Sequence, residues 1–457
     1  MTSMVAWLPA FFSFYFVFFR SPQRALLSVY LPVLILLPQI FLAETVGFPP
    51  LTFHETAAIP IVMAILILDL PNWKFSLADF LIIGFISCAF IAEFVNENLH
   101  FAINKLASLL CDIFAPYVIG KALIYPMGIN IAFSRRFVFL MFINVILCLY
   151  ELRMTSVPQI TLTNWFFPSQ NAFDWPPLFR FGFVRINGPF IQTIFFATGL
   201  FVVIFLNYWL IKNKFWTSYF KYLPTLPLRK GTIIAIVLLF GLLFTFSRGP
   251  WLSFFLGFLI IGSAYSRNPR ASFLLRTLSV VLLTFFIFQS LFNVDQFMPF
   301  GENQDTVYYR ANLFEDYGKY ITEKPIWGWG LANLPLLWGS HSIDNAYLLI
   351  QLQYGAIALG FYLFLIFWML FRLGRRFLSS FRNAPLYSSL TVTLFVITIS
   401  MAISFITVYM GLQVLPLFFL IIGWSEGLLC SKADDALLLK EQAHLFPSRK
   451  GAPIAHK

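Results

Sequence analysis

Two arginines stand where an apolar chain has least use for them. Arg248 sits in FTFSRGPWLSFF, between two apolar runs with no room for a loop. Arg185 sits in FRFGFVRINGPFIQTIFF, just before another apolar run. A planar, permanently charged guanidinium matches phosphate and carboxylate in a forked geometry. At a membrane boundary it is costly enough to be an anion-binding candidate. Arginines at helix ends also snorkel as anchors, and Arg180 reads that way. For Arg185 the two readings balance. For Arg248 the anion reading leads, because Gly249 and Pro250 form a tight turn that fixes its direction, with Pro tolerated at a helix start.

A second group lies in the polar stretch over residues 308–355, wedged between apolar segments. His341 and Asp344-Asn345 close it. Histidine exchanges protons near neutral pH, although a lone loop histidine is more often merely solvated. Asp344 or Asn345 equally suits the N-cap of the following helix. Upstream, Glu315, Asp316, Lys319, Tyr320, Glu323 and Lys324 have helical spacing and Pro325 ends it, which predicts an amphipathic helix. Trp327, Trp329 and Trp338 suit sugar faces, and also a membrane interface.

The elements that position these residues are apolar runs. The chain is 59% hydrophobic and 11% charged, with mean hydropathy +0.79 and 58 phenylalanines. This predicts an all-α polytopic membrane protein with about 11–13 spans. Runs fall at 5–19, 25–43, 56–70, 80–97, 101–125 (interrupted by Asp112 and Pro116), 135–152, 188–211, 231–247, 250–266, 277–293, 344–371, 386–408 and 412–429. The first lacks a basic start and a small-residue cleavage site and reads as a retained span. Residues 1–430 form one membrane domain with a large outer loop at 294–343, and the charged tail at 431–457 reads as a solvated terminus.

The net charge of +11 comes from short basic loops and not from a nucleic-acid-binding stripe. If 372–385 is cytoplasmic, most basic residues fall on that side. Only Lys105, Arg153, Arg180, Arg185, Arg248, Arg310, Lys319 and Lys324 fall on the other, as positive-inside sorting requires. The 153–187 loop, the 247–249 turn and the large loop then share the outer compartment. Cys88, Cys111, Cys148 and Cys430 read as buried hydrophobes. No phosphate-binding glycine loop or metal-ligand motif occurs, and neither a cofactor nor a metal is expected.

Together RINGPF (185–190), FSRGPW (246–251) and the loop followed by HSIDNAYLLIQLQYG (341–355) resemble the O-antigen ligase/polymerase superfamily of bacterial envelope glycan enzymes, over roughly residues 180–370. The resemblance implies metal-independent, inverting transfer of a glycan from undecaprenyl diphosphate to an acceptor hydroxyl, in the inner membrane with the site facing the periplasm. Arg185 and Arg248 match the arginines that hold the diphosphate, and Arg310 is placed with them. His341 resembles the family's loop histidine, the base for the acceptor hydroxyl. Many relatives carry His-Asn where this chain has Asp344-Asn345, so either His341 reaches that point or Asp344 is the base. Gln192 stands where some relatives carry histidine. The spellings favour a polymerase, whose acceptor is another lipid-linked repeat, over a ligase, whose acceptor is the lipid A core. A flippase and a chain-length regulator are implied partners, beside the bilayer itself. A lipid-linked glycan flippase or other transporter is the competing class, and a non-catalytic assembly partner a third.

Overall fold

The computed structural model describes residues 2–43, 49–68, 73–167, 177–216, 229–292, 304–335, 343–432 and 434–445. In chain order the helices are α1 (Thr2–Phe19), α2 (Pro22–Leu36), α3 (Phe53–Leu68), α4 (Leu77–Asn96), α5 (Leu99–Ile124), α6 (Asn130–Met154), α7 (Pro158–Phe166), α8 (Thr193–Lys212), α9 (Lys230–Phe244), α10 (Arg248–Ile261), α11 (Pro269–Phe292), α12 (Gln304–Glu323), α13 (Ala346–Ser380), α14 (Pro385–Ser404), α15 (Val414–Leu429) and α16 (Ala436–Leu445). Two two-residue hairpins, β1–β2 (Leu42–Ala43 with Leu51–Thr52) and β3–β4 (Phe179–Arg180 with Phe183–Val184), are the strands among the described residues. Among the described residues, seven helices are long and apolar enough to cross a membrane by length and composition, and five shorter apolar helices accompany them. The chain is an all-α, polytopic membrane protein.

α8 and α14 are apolar all round, and 83% of each is buried. A helix apolar on every side belongs at the centre of a bundle. The Ser and Thr residues of α14 do not contradict this, because Thr391, Thr393 and Thr398 return their hydroxyls to carbonyls four residues back. α11 is 11% buried and lies at the edge. The expected interruption of the 101–125 run is not a break. α5 runs through Pro116, with π turns at Leu110–Phe114 and Gly120–Ile124 taking up the misfit.

The helix expected before Pro325 is α12. Its apolar face, Leu313 and Tyr317, packs on Leu348 and Leu352 of α13. The chain then turns back onto α13 at a kink. Gly355 has φ +80, so the helical ladder is interrupted there. The groups released by the interruption bond to the turn after α12. Trp329 N donates to Leu352 O (2.7 Å), Gly330 N to Gln353 O (3.0 Å) and Ala356 N to Pro325 O (2.8 Å). Lys324 Nζ reaches Asn96 Oδ1 at 2.7 Å and lies over the Trp329 ring. Glu93 accepts from Leu331 N at 3.0 Å.

Part of the tail departs from expectation. α16 is not a solvated terminus, since Leu438 is fully buried and the Glu441 carboxylate accepts from Ala132 N (2.8 Å) at the start of α6. Burial pushes the Glu441 pKa up to about 7, against the lowering effect of the α6 N–H groups.

Two predictions follow from these contacts. A Cβ on residue 355 would lie 1.9 Å from Ile326 O, in a backbone conformation that only glycine adopts readily, whereas nothing lies within 4 Å of one on residue 360. Gly355→Ala is expected to cost roughly 2 kcal/mol or more and lower the Tm of the detergent-purified protein by several degrees, while Gly360→Ala leaves it unchanged. For Glu441 the folded pKa lies above the unfolded one. Its contribution is therefore fully present below the unfolded value of 4.5 and is lost as pH rises through about 7. Glu441→Gln should melt with wild type below about pH 4.5 and above it at alkaline pH, by on the order of 1–3 kcal/mol.

Candidate functional site

The turn between α9 and α10 is held from two sides. The β3–β4 hairpin reverses through Phe181 and Gly182, both with positive φ, the geometry of a tight hairpin turn. It lays Phe183 on Phe246, with ring centroids 6.1 Å apart and nearly parallel. From this hairpin Arg180 Nη1 donates to Phe246 O at 2.6 Å. Arg185 follows. Its Nε donates to Thr245 O (3.0 Å), and its Nη2 donates to Thr193 Oγ1 (2.6 Å) and Ser247 Oγ (3.1 Å). Both arginines thus meet carbonyls left over at the C-terminal end of α9, where a cation is favoured.

These bonds leave the start of α10 in an unusual state. Ser247 is its N-cap by position but makes no capping bond, because its hydroxyl is engaged with Arg185 and Thr245. Arg248 is the first residue of α10 and is exposed. An N-terminus without a side-chain cap, beside an arginine, presents N–H groups and positive charge to one place.

The breaker before α8 is built with equal care. The Glu151 carboxylate, at the end of α6, accepts from Asn187 N (2.9 Å) and Gly188 N (3.0 Å). Asn345, not Asp344, caps α13, accepting from Leu348 N at 3.0 Å. Asp344 is therefore not needed for capping and sits half-buried at the helix mouth.

A segment with no part in the sequence reading joins these pieces, the link 405–413 between α14 and α15. Ala346 N donates to Phe405 O (2.9 Å) and Val408 O (3.1 Å). Gln413 Nε2 donates to Pro189 O at 2.8 Å. Gln192 Nε2 donates to Tyr409 Oη at 2.9 Å. A Cβ on Gly249 would meet Thr407 Oγ1 at 2.3 Å, so the start of α10 rests directly on the link. Burial holds the Tyr409 phenol above its ordinary pKa; the bond from Gln192 opposes this and the Asp344 charge adds to it. The phenol is therefore neutral at physiological pH and accepts from Gln192.

The link thus connects Gln192, the Arg248 turn and Asp344. Among the described residues, three of the six non-glycine positive-φ positions, Ile191, Phe246 and Leu412, lie on the segments that meet here. Such conformations persist where surrounding contacts over-determine them, often at functional sites. His341 lies outside the described residues. So does the side chain of Arg310, whose backbone belongs to α12.

Beside α13 lies an apolar groove of about 550 Å³, walled by Val281 and Phe285 of α11, Tyr347 and Leu363 of α13 and Ile403 of α14, with Asn345 among its lining.

Comparison with known proteins gives one family match. A family model described as O-Antigen ligase matches residues 233–363. That segment is similar to the O-antigen ligase family. It runs from α9 through the Arg248 turn, α11 and α12 into α13 beyond its kink, and supports the O-antigen ligase/polymerase superfamily that the motifs resemble. No curated protein matches the chain. Arg185, Glu151 and the 405–413 link lie outside the matched segment yet hold its turn and its helix mouth in place.

The two arginines should separate experimentally. Lysine cannot reproduce the forked bonds of Arg185. Arg185→Lys is expected to destabilise the purified protein by about 1–3 kcal/mol. Arg248→Ala, at an exposed position, should change stability by no more than about 0.5 kcal/mol. Thermal denaturation in detergent reads both.

Proposed function

We propose that the protein is a polysaccharide polymerase, transferring a growing glycan from a polyprenyl diphosphate to the hydroxyl of another lipid-linked repeat in the outer leaflet of a bacterial inner membrane. The observation that carries this reading is the uncapped, arginine-bearing start of α10 inside the segment similar to the O-antigen ligase family. A diphosphate leaving group needs charge stabilisation that is in place before the bond breaks. Arg248 and the first N–H groups of α10 supply it, Arg185 fixes the turn that presents them, and Arg310 completes the set. The apolar groove beside Asn345 suits the isoprenoid chain, which would bring the diphosphate to the helix mouth.

In the reaction the acceptor oxygen attacks the anomeric carbon, the bond from that carbon to the diphosphate oxygen breaks, and the diphosphate departs on its lipid. The acceptor proton goes to a base, His341 or Asp344. Asp344 stands near Tyr409 at the mouth of α13. Arginine rather than a metal ion carries the leaving charge in this scheme. A ligase would use the same parts with a lipid A core acceptor, and a flippase would use none of them chemically.

The test uses cells lacking the native gene and expressing Arg248→Ala, His341→Ala or Asp344→Ala at equal membrane abundance, with surface glycan and lipid-linked intermediates run on a gel. Arg248→Ala is expected to leave single repeat units on the carrier lipid. Full-length chains stranded on that lipid would instead identify a ligase. Whichever of His341→Ala and Asp344→Ala fails in the same way is the base. Normal long chains from all three would refute transfer chemistry.

A further inference from the structure

On a different face of α13 from the apolar groove lies a second cavity, of about 240 Å³, with a different lining. Ala346, Leu349, Ile350, Gln353 and Tyr354 form one stripe of α13 facing it, and Lys105 and Asp112 of α5 face it from the other side. Tyr409 closes one end, so the cavity shares a wall with the candidate site.

Its charged groups are held in place from behind. Gln39 Nε2 donates to Val33 O and Leu37 O, both at 3.1 Å, which turns Gln39 Oε1 towards His54. His54 Nδ1 lies 2.8 Å from that oxygen and so carries a proton. His54 Nε2 then meets Asp112 Oδ1 at 3.0 Å, and Ser108 Oγ donates to Asp112 Oδ2 at 3.3 Å. His54 is 2% exposed and Asp112 21%. The histidine is therefore a buried support, and the carboxylate is the part presented to the cavity. Asp112 belongs to a π turn of α5, a distortion that recurs at functional sites. Lys105 hydrogen-bonds Tyr354. Lys105 and Asp112 share the cavity wall without forming an ion pair.

Asp112 is paired with His54, but Lys105 brings a further cation to the same cavity, and a charged group is expensive in an apolar bundle. An empty apolar cavity would need neither. The space equals the liquid volume of about eight waters at about 30 Å³ each, which is room for one sugar ring. Carboxylate, ammonium, amide and phenol together alternate acceptors and donors as vicinal hydroxyls require.

We propose that this cavity is a sugar subsite. It takes one pyranose ring of the acceptor glycan, whose hydroxyls bridge Asp112 to Lys105 and Gln353. The inference rests on the transferase reading in assigning the ring to the acceptor: the donor's lipid lies along the other face of α13, and a ring held here delivers its hydroxyl past Tyr409 towards Asp344.

The test titrates full-length protein in detergent with a phosphate-free oligosaccharide repeat cut from the host's own surface polysaccharide, by calorimetry. The variants are Lys105→Met and Gln353→Leu, which leave the His54 support intact, each checked for unchanged Tm. Each is expected to bind roughly tenfold more weakly, and Arg248→Ala to bind as wild type because the probe carries no diphosphate. Equal affinity in wild type and both cavity variants would overturn the subsite, as would no binding by wild type at millimolar probe. Normal long chains from Arg248→Ala, His341→Ala and Asp344→Ala cells would end the transferase reading separately, since the titration decides the subsite without turnover.

Discussion

The break in α13 at Gly355 is the constraint around which the α12 end of the molecule is arranged. Interrupting a helix in apolar surroundings strands carbonyls and an N–H that no water can reach, and each would cost free energy if left alone. Here Leu352 O, Gln353 O and Ala356 N are all met by the turn that follows α12. The loop is therefore part of the hydrogen bonding of α13 and not a cover laid over it. Lys324 on Asn96 and Glu93 on Leu331 N tie the same turn to α4. The first turns of α13, which follow Asn345 and line both cavities, are thereby fixed from the α12 side, and the Phe405 and Val408 carbonyls fix their N-terminal end.

A second constraint acts through the 405–413 link. Catalytic geometry needs groups from separate segments held to fractions of an ångström, and loops hold position poorly unless something rigid joins them. The link receives Gln192 and Ala346 by hydrogen bond and the start of α10 by close contact. It is anchored between α14, buried on all sides, and α15, whose residues from Val414 to Leu428 are almost all inaccessible. The tightness of Gly249 against Thr407 and the left-handed backbone at Leu412 are what such a junction produces when the surrounding packing dictates the path.

Much of this was legible in the residues. Apolar runs marked the helices and Pro325 the end of α12, while Arg185 and Arg248 were singled out separately, without the contact by which Arg185 holds the turn that carries Arg248. What the pattern could not supply was contact between segments far apart in sequence. Tyr409 stands between two runs and Gln413 at the start of the second, with nothing local to say that Gln192 and Pro189 lie against them. The kink was hidden because a lone glycine in an apolar helix is common. The N-cap of α13 was open between two neighbours, and only the direction of the Asn345 side chain resolves it. In the tail a signal did exist: Leu437, Leu438 and Leu439 are a short apolar run in a charged segment, and Leu438 is the one that docks.

The placement of charge gives the two ends of the bundle different characters. At the end away from the site, ions are closed into pairs. Arg372 meets Glu426, which is fully buried, and Lys121 meets Asp79 with Tyr117 Oη donating to the same carboxylate at 2.7 Å. Such pairs contribute little net stability once desolvation is counted, but breaking one is severe, so they fix which helices lie together. At the site end Asp112 is supported by a histidine and a serine, with Lys105 kept apart from it across a cavity. Here too the carboxylate has a partner in His54, but the cavity beside it is lined by further polar groups, Lys105 and Gln353. Such groups repay their desolvation cost when a ligand with hydroxyls completes their hydrogen bonds.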